Sequence, residues 1–269
     1  MSKYVLDNKK IILTGASSGI GKEIARILIS KYNATVIGIA RNEQKLLDVK
    51  EEFKDNFIPY RLDVSNKEEF EGLFNYLTAN KILIDGIINC AGVLPKFSAF
   101  GDSEIESYEY SFNTNFYSIV YSAKYLIPLL DKSKSPIMIN VLSSSALCPF
   151  AGVSIYSASK AAGERFSECI ALEDNGVKVI TCMPGFTKTN VMRSQNLNDK
   201  EQNIIDKISL PATTVAKKIL NGAKKGKSRI IVGFDAHLMN FLFKFFPRTA
   251  PKIITWLLRK SKMQIFDKI

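Results

Sequence analysis

One histidine, His237, is all the imidazole that 269 residues carry. A histidine-centred triad or a multi-histidine metal site needs more, so both chemistries are set aside by count and no metal is expected. His237 stands between Ala236 and Leu238 in the last fifth of the chain and reads as a surface or packing residue. Cysteine is scarce as well: Cys90, Cys148, Cys169 and Cys182 form no CxxC pair and no close ligand spacing. That pattern fits reduced, mostly buried thiols in a cytosolic protein. No apolar run approaches the ~20 residues a membrane-spanning helix needs. The first ten residues carry no leader pattern and run straight into a short apolar strand, so a cytoplasmic location is expected. Neither repeats nor low-complexity tracts interrupt the chain. Proton chemistry therefore falls to tyrosine, lysine, serine or carboxylates.

What is present is an ordinary globular composition, 46% hydrophobic and 23% charged. The formal charge of +11 is unevenly placed. From Lys217 onward there are thirteen Lys and Arg against two Asp and Glu, which equals the whole excess. Residues 1–216 are balanced, so the basic character belongs to the C-terminal segment.

Apolar runs and helical patterns alternate along the chain. Strands are expected at 10–14, 34–40, 57–62, 82–89, 136–142, 177–182 and 229–233, and helices at 43–54, 67–78, from about 104 with a break to 130, from Tyr156 to about Asp174, and at 213–225. The first strand runs into Gly15-Ala16-Ser17-Ser18-Gly19-Ile20-Gly21 and then a helical pattern. Strand, glycine turn and helix together present backbone N–H groups to a phosphate. Repeated βα units with near-continuous apolar strands imply an α/β, doubly wound parallel sheet of the Rossmann type in one domain, residues 1–233. Residues 234–269 form a basic, aromatic C-terminal helical extension of that domain. In such sheets ligands sit beyond the carboxyl ends of the strands. Those ends carry Gly15–Gly21, Ala40–Asn42, Asp63-Val64, Asn89–Gly92, Ser143–Ser145 and Pro184–Thr189.

Tyr156 and Lys160 lie four residues apart, on one face of a helix. A free phenol has a pKa near ~10, and an ammionium one turn away is expected to favour the phenolate and bring the group toward a useful range. Ser157, Ala158 and Ser159 between them leave room for a flat group.

The chain resembles the short-chain dehydrogenase/reductase family over roughly residues 6–235. The resemblance rests on Thr14-Gly15-x-x-x-Gly19-x-Gly21, Asn89-Cys90-Ala91-Gly92, Asn115, Ser143, Tyr156-x-x-x-Lys160 and Pro184-Gly185-Phe186-Thr187-Lys188-Thr189, in the family's order and spacing. It implies that Tyr156 protonates a substrate carbonyl as hydride arrives from a nicotinamide, and acts as base in reverse. Lys160 would lower the phenol pKa and hold the ribose hydroxyls. Ser143 would hydrogen-bond the carbonyl oxygen, with Ser144 the weaker candidate. Asn115 would hold a water that connects Lys160 to solvent, and is preferred to Asn113 because Pro128 follows at the family's interval. Three positions depart from the pattern: Cys90 replaces a second asparagine, Ser118 stands where glycine is usual, and Thr187 replaces a common valine.

The cofactor implied is NADP(H). A site for the unphosphorylated nucleotide ends its second strand with a carboxylate, whereas Ala40 and then Arg41 stand there, and arginine binds a 2′-phosphate bidentately. Ser17 and Asn42 would add hydrogen bonds, Asp63 and Val64 would flank the adenine, and Gly15, Ser18, Gly19, Ile20 and Gly21 would cradle the phosphates. Asn89, Ala91 and Gly92 would line the cofactor, and Pro184, Gly185, Thr187 and Thr189 would hold the carboxamide. Leu94, Pro95, Ser145, Leu147, Pro149, Phe150, Val153, Phe186, Val191 and Met192 are expected to face the substrate. That apolar set argues for a lipophilic ketone or aldehyde, steroid-like or long-chain acyl. A non-catalytic NADP(H)-binding regulator of the same fold is the rival reading.

For the stretch 234–260 three readings stay open: peripheral contact with an anionic membrane, a cap on the cleft or a subunit interface, and extra packing on the core. Family members are commonly homodimers or homotetramers. Nucleic acid is not expected as a partner, since the basic residues alternate with buried-type aromatics and no reading motif accompanies them.

Overall fold

Ile11, Ile12 and Leu13 are fully buried in the computed structural model, each contributing about 1.5–3 kcal/mol of burial. Successive strand residues point to opposite faces, so Ile11 and Leu13 enter one apolar layer and Ile12 the other. The same alternation sends Ile137, Ile139 and Val141 one way and Met138 the other. A strand buried on both faces is a central strand of a covered sheet. The structure describes residues 4–173, 175–189, 191, 195, 197–261, 263–266 and 269.

Seven strands form one parallel sheet: β1 (Lys10–Thr14), β2 (Thr35–Ala40), β3 (Phe57–Arg61), β4 (Gly86–Asn89), β5 (Ile137–Val141), β6 (Lys178–Pro184) and β7 (Arg229–Val232). Their order is β3-β2-β1-β4-β5-β6-β7. The helices are α1 (Gly19–Tyr32), α2 (Glu43–Phe53), α3 (Lys67–Ala79), α4 (Ile105–Phe112), α5 (Ser118–Leu126), α6 (Ser154–Ile170), α7 (Asp199–Ile208), α8 (Ala212–Lys224), α9 (Phe234–Phe245) and α10 (Ala250–Lys260). Ile24 and Leu28 of α1, Leu46 of α2 and Ile219 of α8 fill the first layer. Phe70 of α3, Leu126 of α5 and Ile170 of α6 fill the second. All carboxyl ends share one edge, and the order reverses between β1 and β4, where a doubly wound sheet opens a crevice.

Several boundaries differ from the sequence expectation. The strand expected over 82–89 shortens to Gly86–Asn89, because the Lys10 N–H bonds the Asp85 carboxylate at 2.8 Å, and Ile84 makes only an isolated bridge to Leu130. The helix expected to reach Asp174 stops at Ile170, whose carbonyl accepts from Asn175 Nδ2 at 2.8 Å; Asp174 lies outside the described residues. The break in the 104–130 helix is a π-turn, Asn113–Tyr117, between α4 and α5. Neither α7 nor the two-residue ladder pairing Thr187–Lys188 with Leu210–Pro211 was expected. Among the described residues no helix is long and apolar enough to cross a membrane. His237 is exposed, and all four cysteines are free, with Cys148 and Cys182 buried and Cys169 exposed.

Candidate active site

The turn after β1 is built for close approach. Gly15 takes φ +70°, and a Cβ there would come within 2.9 Å of Ala91 N. A Cβ on Gly21 would overlap the Gly15 carbonyl, so α1 starts directly on the turn. Asn42, Asn66 and Asn198 cap α2, α3 and α7 with their side chains. Ser18, at the same position of α1, makes no side-chain cap bond, and the first turn of α1 holds no acidic residue. The N–H groups and positive dipole end of a fourteen-residue helix thus face the crevice uncompensated, the arrangement that receives a phosphate.

Two side chains hold the loop after β4 against this turn. Thr14 Oγ1 accepts from Cys90 N at 3.0 Å and Ala91 N at 3.1 Å. Asn115, in the π-turn and 1% exposed, grips Val93 from both sides: its Oδ1 accepts from Val93 N and its Nδ2 donates to Val93 O, each at 2.9 Å. The same Nδ2 reaches Ser159 Oγ at 3.2 Å, which ties the loop to α6. A Cβ on Gly92 would lie 3.1 Å from both Asn115 Oδ1 and Lys160 Nζ. Glycine there leaves a gap that amide and amine share. Asn115 Oδ1 keeps a second lone pair toward that gap.

Ser143, Tyr156 and Lys160 meet over this floor. Ser143 Oγ accepts from Ser145 N at 3.2 Å, which leaves its own hydrogen free to donate. The nearby Ser143 hydroxyl acts to lower the Tyr156 phenol pKa, but burial is the larger effect and holds that pKa above its ordinary value. Lys160 Nζ lies 5.9 Å from the Tyr156 ring centre and donates to Val141 O at 3.4 Å. Burial brings Lys160 down to about 8. Its neighbour Cys90 is pushed up to about 12 by burial, so it stays a neutral thiol. The expectation that the amine lowers the phenol pKa is corrected on this point: enclosure raises the phenol and lowers the amine.

These groups line one cleft of about 420 Å³. Gly15, Ser18, Gly19, Ile20, Gly21, Ala91, Gly92, Pro184, Gly185, Thr187 and Thr189, expected at the cofactor, border it. Leu94, Ser145, Phe150, Val153, Phe186 and Val191, expected at the substrate, border the same cleft. Several expected residues lie elsewhere. Leu147 is buried in the second apolar layer instead of the cleft wall. Asn89 points into the sheet, its Nδ2 donating to Asn140 Oδ1 at 2.7 Å. The Asn42 side chain caps α2, and the Asp63 carboxylate accepts from Ser65 N and Oγ at 3.0 and 2.7 Å. Val64 is buried in the second layer, and Ser17 does not border the cleft. Arg41 is exposed at the end of β2, its guanidinium bonded to the Tyr110 hydroxyl of α4. Met192 lies outside the described residues.

Several residues of the site escaped the sequence reading, Val93, Val141 and Leu142 of the cleft lining among them. Phe97 and Met239 border the cleft. Asp235, at the start of α9, accepts the Phe186 N–H at 2.7 Å, and its carboxylate fills the space a side chain on Gly185 would need. Asp235 follows Gly233 by two residues at the end of β7, the one signal that placed it near Pro184-Gly185.

A phosphate-receiving helix end at the switch point, beside a serine–tyrosine–lysine cluster, defines a dinucleotide-dependent oxidoreductase of the α/β class. The chain belongs to the short-chain dehydrogenase family, whose model matches residues 9–200. It is 30% identical over 256 residues to an 11-beta-hydroxysteroid dehydrogenase-like protein of Arabidopsis thaliana, covering 93% of this chain and 80% of that one. It is 31% identical over 196 residues to an (S)-benzoin-forming benzil reductase of Saccharomyces cerevisiae, covering 69% and 74%. A short-chain dehydrogenase structure from Streptomyces avermitilis superposes with a TM-score of 0.78 at 24% identity over 96% of this chain and 99% of that one. The protein is thus an oxidoreductase of a family whose fold binds nicotinamide cofactors.

Proposed function

We propose that the protein reduces a lipophilic ketone or aldehyde with NADPH. The observation that carries this reading is the Ser143–Tyr156–Lys160 cluster in a cleft where Lys160 is the one charged side chain among the described residues. Leu94, Phe97, Phe150, Val153, Phe186 and Met239 supply an apolar wall. Among the described residues an acidic or phosphorylated substrate would find no arginine there, whereas a steroid-like, long-chain acyl or benzil-like carbonyl compound leaves no charge unpaired. The names of the Arabidopsis and yeast relatives point to the same substrate class.

A nicotinamide cofactor held in this cleft would supply the hydride. The uncapped end of α1 with Gly15 and Gly19 would receive its pyrophosphate, and Lys160 beside Gly92 would hold its ribose. Ser143 donates to the carbonyl oxygen as charge develops, a contribution of about 2.7–4 kcal/mol for an oxyanion donor. Tyr156 gives that oxygen its proton. Enclosure keeps the phenol protonated at neutral pH, the state that reduction needs and alcohol oxidation does not. Lys160, with Asn115 Oδ1 across the shared gap, then returns a proton to the phenolate. At the far end, Arg41 with no carboxylate at Ala40 suits a 2′-phosphate.

The test is NADPH oxidation over a panel of steroid-like ketones, long-chain aldehydes and aromatic diketones. Turnover is expected on members of the panel. Tyr156→Phe should lower it by about 10²–10⁴-fold while NADPH affinity stays within a few-fold. Tight NADPH binding with no turnover on any of them would instead assign a non-catalytic, nucleotide-sensing role.

A further inference from the structure

The hairpin of α9 and α10 has two unlike sides. Its inner side closes the cleft with Met239, and Ala236 and Ala250 are fully buried. Its outer side is apolar and uncovered. Phe234, Leu238, Phe241 and Phe245 recur at helical spacing and form one stripe, with Phe234 83% exposed. Ile253, Trp256 and Leu257 do the same on α10, with Phe246 between the helices.

Charge says what covers this face. From residue 236 to residue 266 there is no aspartate or glutamate. Lys244, Arg248, Lys252, Arg259 and Lys260 are all exposed; Arg259 Nε donates to the Ile269 oxygen at 2.7 Å, and among the described residues none of the other four is in an ion pair. Asp235, which begins α9, is turned inward onto the Phe186 N–H. Lys260 Nζ sits 4.7 Å from the Trp256 ring centre, a basic head on an aromatic body. A second copy of this chain would bring the same positive charge to the contact, whereas an anionic lipid surface complements both the bases and the rings.

We propose that α9–α10 docks this protein on the surface of an anionic bilayer, with the aromatic stripe in the headgroup–acyl boundary and the bases at the phosphates. Helices of twelve and eleven residues lie in that plane and do not span it. The proposal stands independently of the reductase reading.

Trp256 is the chain's one tryptophan and is 56% exposed, so its emission reports docking directly. Full-length protein is titrated with vesicles of phosphatidylcholine containing phosphatidylglycerol, and with phosphatidylcholine alone, and both mixtures are sedimented. The expected result is a blue shift and co-sedimentation with the anionic vesicles, at least about tenfold weaker on phosphatidylcholine alone and reversed in about 1 M salt. Arg248→Glu with Lys252→Glu should weaken binding by at least about tenfold, and Phe241→Ser with Phe245→Ser should abolish the shift. Unchanged emission with protein left in the supernatant would overturn the proposal. So would a blue shift that needs no lipid, rises with protein concentration and accompanies dimer formation, since a second copy would then own the face. NADPH turnover on a water-soluble ketone without lipid is measured beside these variants, so a lost activity and a lost membrane contact are read separately.

Discussion

Lys160 is 4% exposed, and among the described residues its ammonium has no carboxylate partner; the Val141 carbonyl at 3.4 Å is its acceptor. Enclosure without an anion favours the neutral amine, which brings Lys160 from 10.5 to about 8. Tyr156 feels the same enclosure with the opposite sign, because its charged form is the deprotonated one. The two groups therefore titrate in a definite order. Below pH 8 the amine carries its charge and the phenol its proton. As pH rises through that value the charge on Lys160 is lost first, while the phenol stays a donor. For the reduction, kcat/KM should be level to about pH 7 and fall about tenfold per unit above about 8. The profile is measured on a ketone with no ionisation of its own in that range. Lys160→Arg, charged throughout, should remove the falling limb; a limb that persists would belong to Tyr156 and reverse the order. The pairing of Tyr156 with Lys160 was legible from a four-residue spacing. The direction of their shifts was not, because spacing carries no measure of how tightly Val141, Cys90 and Gly92 close around the amine.

Asp235 shows what one element does for another. It belongs to α9, yet its carboxylate holds the Phe186 N–H at 2.7 Å, on the loop that follows β6 and borders the cleft. A hydrogen bond to a charged group is worth about 1.5–3 kcal/mol, so losing it should loosen the loop more than the fold. Asp235→Ala is expected to raise KM for NADPH by about tenfold with little change in kcat, and Asp235→Asn, which still presents an oxygen, should recover most of it. Steady-state kinetics read against thermal unfolding decide the matter. A lower Tm with unchanged KM would make Asp235 a stability residue and not a positioning one. The strands were legible because they are near-continuous apolar runs such as Lys10–Thr14 and Ile137–Val141. By contrast, α7 reads Asp-Lys-Glu-Gln-Asn-Ile-Ile-Asp-Lys-Ile, too polar to announce a helix until Asn198 and Glu201 are seen to form its capping box. The π-turn was foreseen only as a break, since nothing in Asn113–Tyr117 foretells that it turns Asn115 inward onto Val93. Contacts such as Asp235 to Phe186, 49 residues apart, arise from where β7 ends beside β6 and belong to topology.

At the scale of the whole molecule, the cleft is built from the ends of β1, β4, β5 and β6, so a ligand there bridges both halves of the sheet. Such a ligand binds only the folded chain, and at about a hundred times its Kd it adds ~2.7 kcal/mol of stability. For a protein of this size each kcal/mol raises Tm by about 2–4 °C, giving an expected rise of roughly 5–10 °C. The dinucleotides differ at one point only, the 2′-phosphate, and on the proposed reading Arg41, whose guanidinium bonds the Tyr110 hydroxyl, would meet it. Arg41 is exposed, so screening moderates its contribution, but no carboxylate at Ala40 opposes the phosphate. At equal concentrations and low ionic strength NADPH should therefore raise Tm by several degrees more than NADH. Arg41→Asp should cancel or invert that difference while leaving the Tm of the protein alone nearly unchanged, because the side chain carries no core packing. Differential scanning fluorimetry with both nucleotides, on both proteins, gives the four numbers needed. Equal shifts from NADPH and NADH in the unaltered protein would mean that the phosphate is held nowhere, and that the preference assigned to Arg41 is wrong even if the reductase chemistry stands.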